Sequence, residues 1–319
     1  MILDAGLIII GFVFLIKGAD WLVGGASGLA KKHHVSDLVI GLTIVAFGTS
    51  APELVVNTVA SIDKHSDIVY GNIIGSNNFN LFVILGLVAM IFPVSVHRSM
   101  IRKEIPFSLA ITALLMLLSN AFLGQKENLL TRIDAGILFV LFIAFLIYTF
   151  KQSSTEQETG EIQAVPLTNL KIWSLIALGL GLLVAGGRMV VTGAENIALN
   201  FGISEKIIGL TIVAAGTSLP ELVTSVVAAS KKNSDIAVGN VIGSNIFNIL
   251  FILSVSGLIN PITYVTSFNR EMILLMGGTI LLVLFMFLGK RKNRIDRWEG
   301  ALLMGIFIAY TAFLIQQEL

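Results

Sequence analysis

The chain has 319 residues, of which 55% are hydrophobic and only 13% are charged, whereas soluble domains carry about 25% charged residues. This composition predicts an all-α integral membrane protein, and the formal net charge of +1 gives no support for a nucleic-acid partner. The absence of cysteine excludes disulfides, thiolate metal sites and cysteine nucleophiles. The first apolar run lacks a basic leader and continues past Trp21, so we interpret it as a retained span.

Ten segments are apolar enough to cross a bilayer, which takes about 20 residues. In chain order they lie near residues 3–30, 38–61, 68–94, 104–123, 130–150, 170–198, 206–230, 236–260, 271–289 and 299–316. The first and sixth runs exceed the thickness of the hydrocarbon layer, so we expect these two helices to tilt and to be the elements that move. Alternate loops carry about 14 and about 5 basic residues, so the positive-inside rule predicts a multi-pass cell-membrane protein with both termini extracellular.

One stretch of sequence occurs twice. Residues 41–80 and 209–248 align at a constant offset of 168 with no gap, and roughly two-thirds of the aligned positions are identical. Five predicted spans separate equivalent points, and an odd number places the two copies in opposite orientations. The sequence therefore predicts ten transmembrane helices arranged as two inverted five-helix repeats. Residues 1–150 form the first repeat, 151–169 a cytoplasmic linker and 170–319 the second repeat.

Each copy carries Gly-Thr-Ser-x-Pro-Glu in the middle of an apolar span. The proline removes a backbone donor and clashes with an earlier carbonyl, so the helix should break there. We expect the carbonyls from Ala46 to Thr49, and from Ala214 to Thr217, to lose their intrahelical partners and to face protein or a water-filled cavity. Glu53 and Glu221 follow the breaks, in the first turn of the next half-helix, whose dipole favours an ionised carboxylate. This set of hard oxygens suits Na⁺ or Ca²⁺ better than Zn²⁺ or copper.

The second part of the motif, Gly-Asn-x-x-Gly-Ser-Asn-x-Phe-Asn, lies on the third and eighth spans. Ser76 and Asn80 are four residues apart on one helical face, as are Ser244 and Asn248, so each pair could direct oxygens into the same cavity. A purely structural role is an open alternative for these serines and asparagines. The motif glycines are interpreted as packing residues.

The asparagines at positions 77 and 245 point about 100° away from the adjacent serines, and we expect them to make hydrogen bonds between helices. The two glutamates are different from the other polar residues, because a charge near the middle of a span costs about 2.5–3.5 kcal/mol and indicates a functional group.

The paired GTS(A/L)PE and GN(I/V)IGSN(N/I)FN segments resemble the α-repeats of the cation/calcium exchanger superfamily, and most closely those of prokaryotic sodium/calcium exchangers. The resemblance covers nearly the whole chain. It implies that the two glutamates coordinate the transported ions together with hydroxyl, carbonyl and amide oxygens. The implied ligands are Ala46, Thr49, Ser50, Glu53, Ser76 and Asn80 in the first half and Ala214, Thr217, Ser218, Glu221, Ser244 and Asn248 in the second.

The resemblance also implies a coupling ion. Proton-coupled members typically have Gly-Asn-x-x-Glu in place of Gly-Thr-Ser-x-Pro-Glu. Potassium-dependent members, and some prokaryotic exchangers, have aspartate where this chain has Asn248. We therefore expect a Na⁺/Ca²⁺ antiporter without K⁺ dependence, which needs no cofactor and no obligate protein partner besides the ions and membrane lipid. A Ca²⁺/H⁺ exchanger and a passive cation channel are the alternatives. No hydrolase signature accompanies the glutamates, so an enzyme is not expected.

Overall fold

Helices account for most of the computed structural model, which describes residues 2–120, 128–153, 167–201, 214–288 and 292–318. The helices of the first half follow one another with few intervening residues. They are α1 (Ile2–His33), α2 (Asp37–Thr49), α3 (Ala51–Ile62), α4 (Ser66–Ile91), α5 (Arg98–Arg102), α6 (Glu104–Ser119) and α7 (Arg132–Ser153), with the short strands β1 (Val94–Ser95) and β2 (Leu129–Leu130).

The described part of the second half has a matching order of elements. They are α8 (Asn169–Asn200), α9 (Ala214–Thr217), α10 (Leu219–Ser230), α11 (Ser234–Ile259), α12 (Asn269–Leu288) and α13 (Arg297–Glu318), with the strands β3 (Ile262–Thr263) and β4 (Arg294–Ile295) and a 3₁₀ turn at Thr266–Phe268. Three of the described helices contain π-helical turns. These lie at Gly41–Val45 in α2, Phe79–Ile84 in α4 and Asn248–Ile252 in α11.

Among the described residues, seven helices are long and apolar enough to cross a membrane, or eight if the bent pair α2 and α3 counts as one span. The other two predicted spans are not in this set for separate reasons. The fourth is α6, whose helix has only 16 residues, and the seventh begins in residues 206–213, which lie outside the described ranges. The all-helical membrane architecture is therefore confirmed, and the count of ten spans stays a prediction.

Local sequence explains where several helices begin and end. Ser36 caps the start of α2 by accepting a hydrogen bond from the backbone of Val39, and Thr168 caps α8 in the same way. The half-helices α3 and α10 each end close to a lysine with a left-handed backbone, Lys64 (φ 62°) and Lys232 (φ 61°). These lysines occupy equivalent positions of the sequence repeat, so the duplication extends to the conformation of the turns.

The contacts divide the chain into two compact units. Unit 1 comprises Met1–Pro52 and Ala144–Gly243, and unit 2 comprises Glu53–Ile143 and Ser244–Leu319. Each unit takes segments from both halves of the sequence. The units defined by contacts therefore do not correspond to the predicted repeats 1–150 and 170–319. The repeats and their linker 151–169 stay a prediction, and most of the linker lies outside the described residues.

Unit 1 is built around α1 and α8, which are 32 residues long each, longer than the apolar runs that predict them. Their glycines bring the two backbones together. A Cβ on Gly18 would lie 2.7 Å from the carbonyl oxygen of Gly179, and a Cβ on Gly11 would lie 2.8 Å from that of Gly186. Such close approach is possible only without side chains. Because the partner number falls as the residue number rises, α1 and α8 run antiparallel.

Unit 2 contains two antiparallel ribbons, in which β1 pairs with β4 and β2 pairs with β3. Each ribbon joins a segment of the first half to a segment of the second. The second part of α11 packs in this unit against α7, where Phe142 stacks on Phe251 at a centroid distance of 4.9 Å and meets Phe247 edge-on at 5.0 Å.

Candidate cation-binding site

The helix breaks predicted in the two GTSxPE segments are confirmed. Between α2 and α3, Ser50 leaves the helical conformation (φ −81°, ψ 10°), and the two helices are bent by 49°. Between α9 and α10, Ser218 has nearly the same backbone angles (φ −90°, ψ 6°). Pro52 and Pro220 occupy the first turn of the following half-helix, where a missing N–H is tolerated.

The prediction that the Ala46 carbonyl has no intrahelical partner is wrong. The Ser50 N–H donates to this carbonyl at 3.0 Å, and the Thr49 hydroxyl approaches it at 3.4 Å. The physical reason is the position of the proline: Pro52 removes the donor for the carbonyl four residues earlier, that of Gly48, and leaves the Ser50 N–H in place. A carbonyl oxygen has two lone pairs, so the Ala46 oxygen can still act as a ligand. Its counterpart Ala214 is the first residue of α9.

Glu221 is the centre of the predicted ligands in unit 1. Its side chain is 1% exposed, and the Ser50 hydroxyl donates to Oε1 at 2.8 Å. The other carboxylate oxygen, Oε2, is buried and has no hydrogen-bond partner among the described residues. A buried carboxylate with an unsatisfied oxygen is unfavourable unless a bound cation or a proton neutralises it. Ser50 therefore reaches, across the repeats, the glutamate of the other GTSxPE segment.

Asn240 supports this arrangement, although it is not among the residues that the sequence predicts to be functional. Its Oδ1 accepts a hydrogen bond from the Thr49 hydroxyl at 3.0 Å, while its Nδ2 donates to the Glu221 backbone carbonyl at 3.3 Å and to Ser225 at 3.0 Å. A single fully buried amide thus fixes the predicted ligand Thr49 and the backbone of Glu221. The signal was available in the motif, because Asn240 lies four residues before Ser244 and shares its helical face.

Glu53 is the corresponding carboxylate in unit 2, and its side chain is also 1% exposed. One turn further along α3, the Asn57 amide donates to the Glu53 backbone carbonyl at 2.7 Å and to Oδ1 of Asn72 on α4 at 2.6 Å. Asn57 and Asn72 are the repeat equivalents of Ser225 and Asn240. Both half-helices that carry a glutamate are therefore tied to the helix that follows them by a buried amide.

The remaining predicted ligands of unit 2 lie on α4 and α11. Ser76 and Ser244 are buried, and Asn80 and Asn248 are each 1% exposed at the beginning of the π-helical turns. The oxygen Oδ1 of both asparagines is buried without a hydrogen-bond partner among the described residues. Such π-helical turns are often found at functional sites.

The prediction that Asn77 and Asn245 bond between helices is confirmed. The Nδ2 group of Asn77 donates to the backbone carbonyl of Asn245 at 3.2 Å, and that of Asn245 donates to the backbone carbonyl of Asn77 at 3.3 Å. The two residues are 168 positions apart, which is the offset of the sequence repeat.

The predicted ligands are thus divided between the two units. Unit 1 holds Ala46, Thr49, Ser50, Ala214, Thr217, Ser218 and Glu221, and unit 2 holds Glu53, Ser76, Asn80, Ser244 and Asn248. Both sets combine one buried carboxylate with uncharged oxygen groups, in a chain with at least seven helices apolar enough to cross a membrane. This is the chemistry of a membrane protein that handles hard cations.

Comparison with known proteins gives the family. The family model described as sodium/calcium exchanger protein matches residues 3–151 and 171–316. The putative antiporter CaxA of Alkalimonas amylolytica is 38% identical over 95% of this chain and 96% of its own length, and the sodium/calcium exchanger MaX1 of Methanosarcina acetivorans is 33% identical over 97% of each. A solved structure of the sodium-calcium exchanger NCX_Mj, soaked with 2.5 mM Na⁺ and 0.1 mM Ca²⁺, superposes with a TM-score of 0.82 at 35% identity over 98% of each chain.

Fold, site and relatives together define a membrane antiporter of the cation/Ca²⁺ class. The chain belongs to the sodium/calcium exchanger protein family. That family consists of exchangers of Na⁺ and Ca²⁺ rather than of catalytic enzymes, in agreement with the sequence.

Proposed function

We propose that this protein is a secondary active antiporter that exchanges Na⁺ for Ca²⁺ by alternating access, with Glu53 and Glu221 as the charged ligands. The observation that carries the proposal is the burial of both carboxylates, each directly after a helix break and each at 1% exposure. Two carboxylates are neutralised by one Ca²⁺ or by two Na⁺, so the ions compete for the same ligands. The unloaded carboxylates oppose the switch in access, which couples the two fluxes.

The other predicted ligands complete this proposal. Hydroxyl oxygens come from Thr49, Ser50, Thr217, Ser218, Ser76 and Ser244, amide oxygens from Asn80 and Asn248, and backbone carbonyls from Ala46 and Ala214. Only the two glutamates carry charge, since position 248 is asparagine, so we propose exchange without K⁺. Binding of a third Na⁺ would make each cycle electrogenic, with about 2.3 kcal/mol per charge per 100 mV.

The proposed architecture is ten transmembrane helices in two inverted five-helix repeats, residues 1–150 and 170–319, joined by the linker 151–169. Two features of the structure support it. The equivalent helices α1 and α8 run antiparallel in unit 1, and the equivalent residues Asn77 and Asn245 exchange identical hydrogen bonds in unit 2. We propose extracellular termini from the basic loops. The chain has no cysteine, so the accessibility of single introduced cysteines tests this orientation.

The test is Na⁺-driven uptake of radiolabelled Ca²⁺ into proteoliposomes. We expect Glu53→Gln and Glu221→Gln each to abolish uptake, because each removes one of two charges that balance the ion. Glu299→Gln is the matched control, since Glu299 is equally buried but lies on α13, outside both GTSxPE segments, and glutamine can also accept its hydrogen bond from the backbone N–H of Asp296.

Three outcomes contradict the proposal in different ways. Full uptake by Glu53→Gln or by Glu221→Gln would mean that the substituted glutamate is not a charged ligand of the transported ions. Uptake driven equally by a proton gradient without Na⁺ identifies a Ca²⁺/H⁺ exchanger. Ca²⁺ flux that needs no counter-ion identifies a channel.

A further inference from the structure

The hydrogen bonds of Asn77 and Asn245 extend beyond the contact between their helices. The oxygen Oδ1 of Asn245 accepts a hydrogen bond from Nδ2 of Asn80 at 3.0 Å, and Oδ1 of Asn77 accepts one from Nδ2 of Asn248 at 2.9 Å. Each of the two residues therefore uses its amide group on the opposite backbone and its oxygen on the opposite proposed ligand. The four side chains form one reciprocal network within unit 2.

This network decides which end of the Asn80 and Asn248 side chains is available. A carboxamide has an oxygen acceptor at one tip and an NH₂ donor at the other, and the two are nearly equal in size. Because the NH₂ groups of Asn80 and Asn248 are held by Asn245 and Asn77, their oxygens must point away from the network. All four residues are 0–2% exposed, so bulk water does not replace a lost partner.

We propose that Asn77 and Asn245 are positioning residues that hold Asn248 and Asn80 with the oxygen, and not the NH₂ group, toward the transported cation. This inference rests on the proposed function, in which Asn80 and Asn248 are ligands. Without the network, each amide is free to turn over and to direct N–H dipoles at a cation. Cation affinity then falls for two reasons: an oxygen ligand is lost, and an N–H group that repels the cation takes its place.

The expected effect is on cation affinity. Residues that orient metal ligands typically contribute 10- to 100-fold to affinity. We therefore expect Asn245→Leu, which keeps approximately the size of the side chain, to raise the KM for Ca²⁺ in Na⁺-driven uptake about 10-fold and to change the maximal rate less. Asn78→Leu is the control. Asn78 is the next residue in the same helix as Asn77, is 3% exposed, and donates to the backbone carbonyls of Ile74 and Glu271 rather than to a ligand.

A double-mutant cycle separates positioning from a purely structural role. A positioning residue acts only through its ligand, so Asn245→Leu should have almost no further effect on the KM in an Asn80→Ala background. A structural role would lower the thermal unfolding midpoint in both backgrounds and leave the KM ratio the same. If Asn245→Leu does not fold, the mirror pair, Asn77→Leu with Asn248→Ala, provides the same test.

The outcomes distinguish this inference from the proposed function. If Asn80→Ala raises the KM but Asn245→Leu does not, or if Asn245→Leu has the same effect in both backgrounds, the positioning role is overturned while the site remains. If Asn80→Ala leaves the KM unchanged, Asn80 is not a ligand and the role of Asn245 falls with it. Loss of Na⁺-driven uptake in Glu53→Gln, with an unchanged KM in Asn80→Ala, assigns that failure to Asn80 and not to the transport function.

Discussion

The helix pair α1 and α8 of unit 1 and the helix pair α4 and α11 are held together in opposite ways. The first pair meets backbone to backbone at glycines seven residues apart, Gly11 and Gly18 on one helix and Gly179 and Gly186 on the other. The second pair meets in unit 2 through reciprocal amide hydrogen bonds. Packing of small residues is close but has no preferred direction, whereas a buried amide accepts only one arrangement of partners.

This difference matches what each pair is proposed to do. The four helices also differ in how much of their most apolar 18-residue stretch is buried. This share is 33% in α1 and 28% in α8, against 72% in α4 and 94% in α11. The glycine contacts themselves contain no side-chain hydrogen bond, and a side-chain hydrogen bond that does join the two helices, from Asn196 to Asp4 at 2.9 Å, is exposed to solvent. Few specific bonds between described residues therefore oppose a change of register, which suits elements proposed to move. Helices joined by Asn77 and Asn245 keep the proposed ligands in fixed orientation. The sequence repeat thus gives two contacts between equivalent helices. One is a close packing of glycines, and the other is a specific set of amide hydrogen bonds.

The largest effect is expected from filling the glycine contact. A Cβ on Gly179 would lie 2.7 Å from the backbone nitrogen of Leu22 and 2.8 Å from the carbonyl oxygen of Gly18, and neither backbone atom can give way. We expect Gly179→Leu to destabilise the protein by about 3 kcal/mol, at the upper end for overpacking. The thermal unfolding midpoint in detergent measures this effect.

Gly181→Leu provides the control for that variant. Gly181 is exposed on the same helix, and no described atom lies within 4 Å of a Cβ built on it. The unfolding midpoint of this variant should stay close to that of the unchanged protein. Equal midpoints for Gly179→Leu and Gly181→Leu would show that the backbones do not approach at Gly179, and the contrast between the two helix pairs would then be lost.

A smaller effect on stability is expected in unit 2, where a side-chain hydrogen bond attaches α3 to α11. The Ser61 hydroxyl donates to the backbone carbonyl of Ser256 at 2.8 Å, and Ser61 is 3% exposed. The second repeat has Ala229 at the equivalent position, so Ser61→Ala gives the first repeat the residue of the second. We expect a loss of about 1 kcal/mol, the usual net contribution of a hydrogen bond.

Urea or thermal unfolding of Ser61→Ala beside Ser230→Ala checks that expectation. The Ser230 hydroxyl donates to Val227 within its own helix at an exposed position, so its removal should change stability very little. No difference between the two alanine variants would mean that the buried hydroxyl adds nothing to the attachment of α11.

The parts of the structure that the sequence predicts correctly follow from local rules. Proline chemistry places the two helix breaks, and the angle between successive residues on a helix assigns Asn77 and Asn245 to the contact between helices. The error at the Ala46 carbonyl is also local, because only the carbonyl four residues before Pro52 loses its donor. Partners across helices are different: nothing in the sequence pairs Ser50 with Glu221 or Thr49 with Asn240, since these bonds depend on tertiary packing. The π-helical turns at Asn80 and Asn248 have no distinctive composition either, and only the structure reveals them.

The smallest effect is expected at an ion pair that links α1 to the end of α10. Lys231 Nζ lies 2.6 Å from a carboxylate oxygen of Asp20 and 3.1 Å from its backbone carbonyl, with side-chain exposures of 38% and 48%. Exposed pairs contribute about 0.2–1 kcal/mol and are screened by salt. We therefore expect Lys231→Gln to lower the unfolding midpoint slightly at low salt and not at all at high salt, with Lys232→Gln, one residue further on, as the control. A large, salt-independent loss would mean that α1 is fixed by a specific polar contact, and its glycine surface would then no longer distinguish it from the asparagine-linked pair.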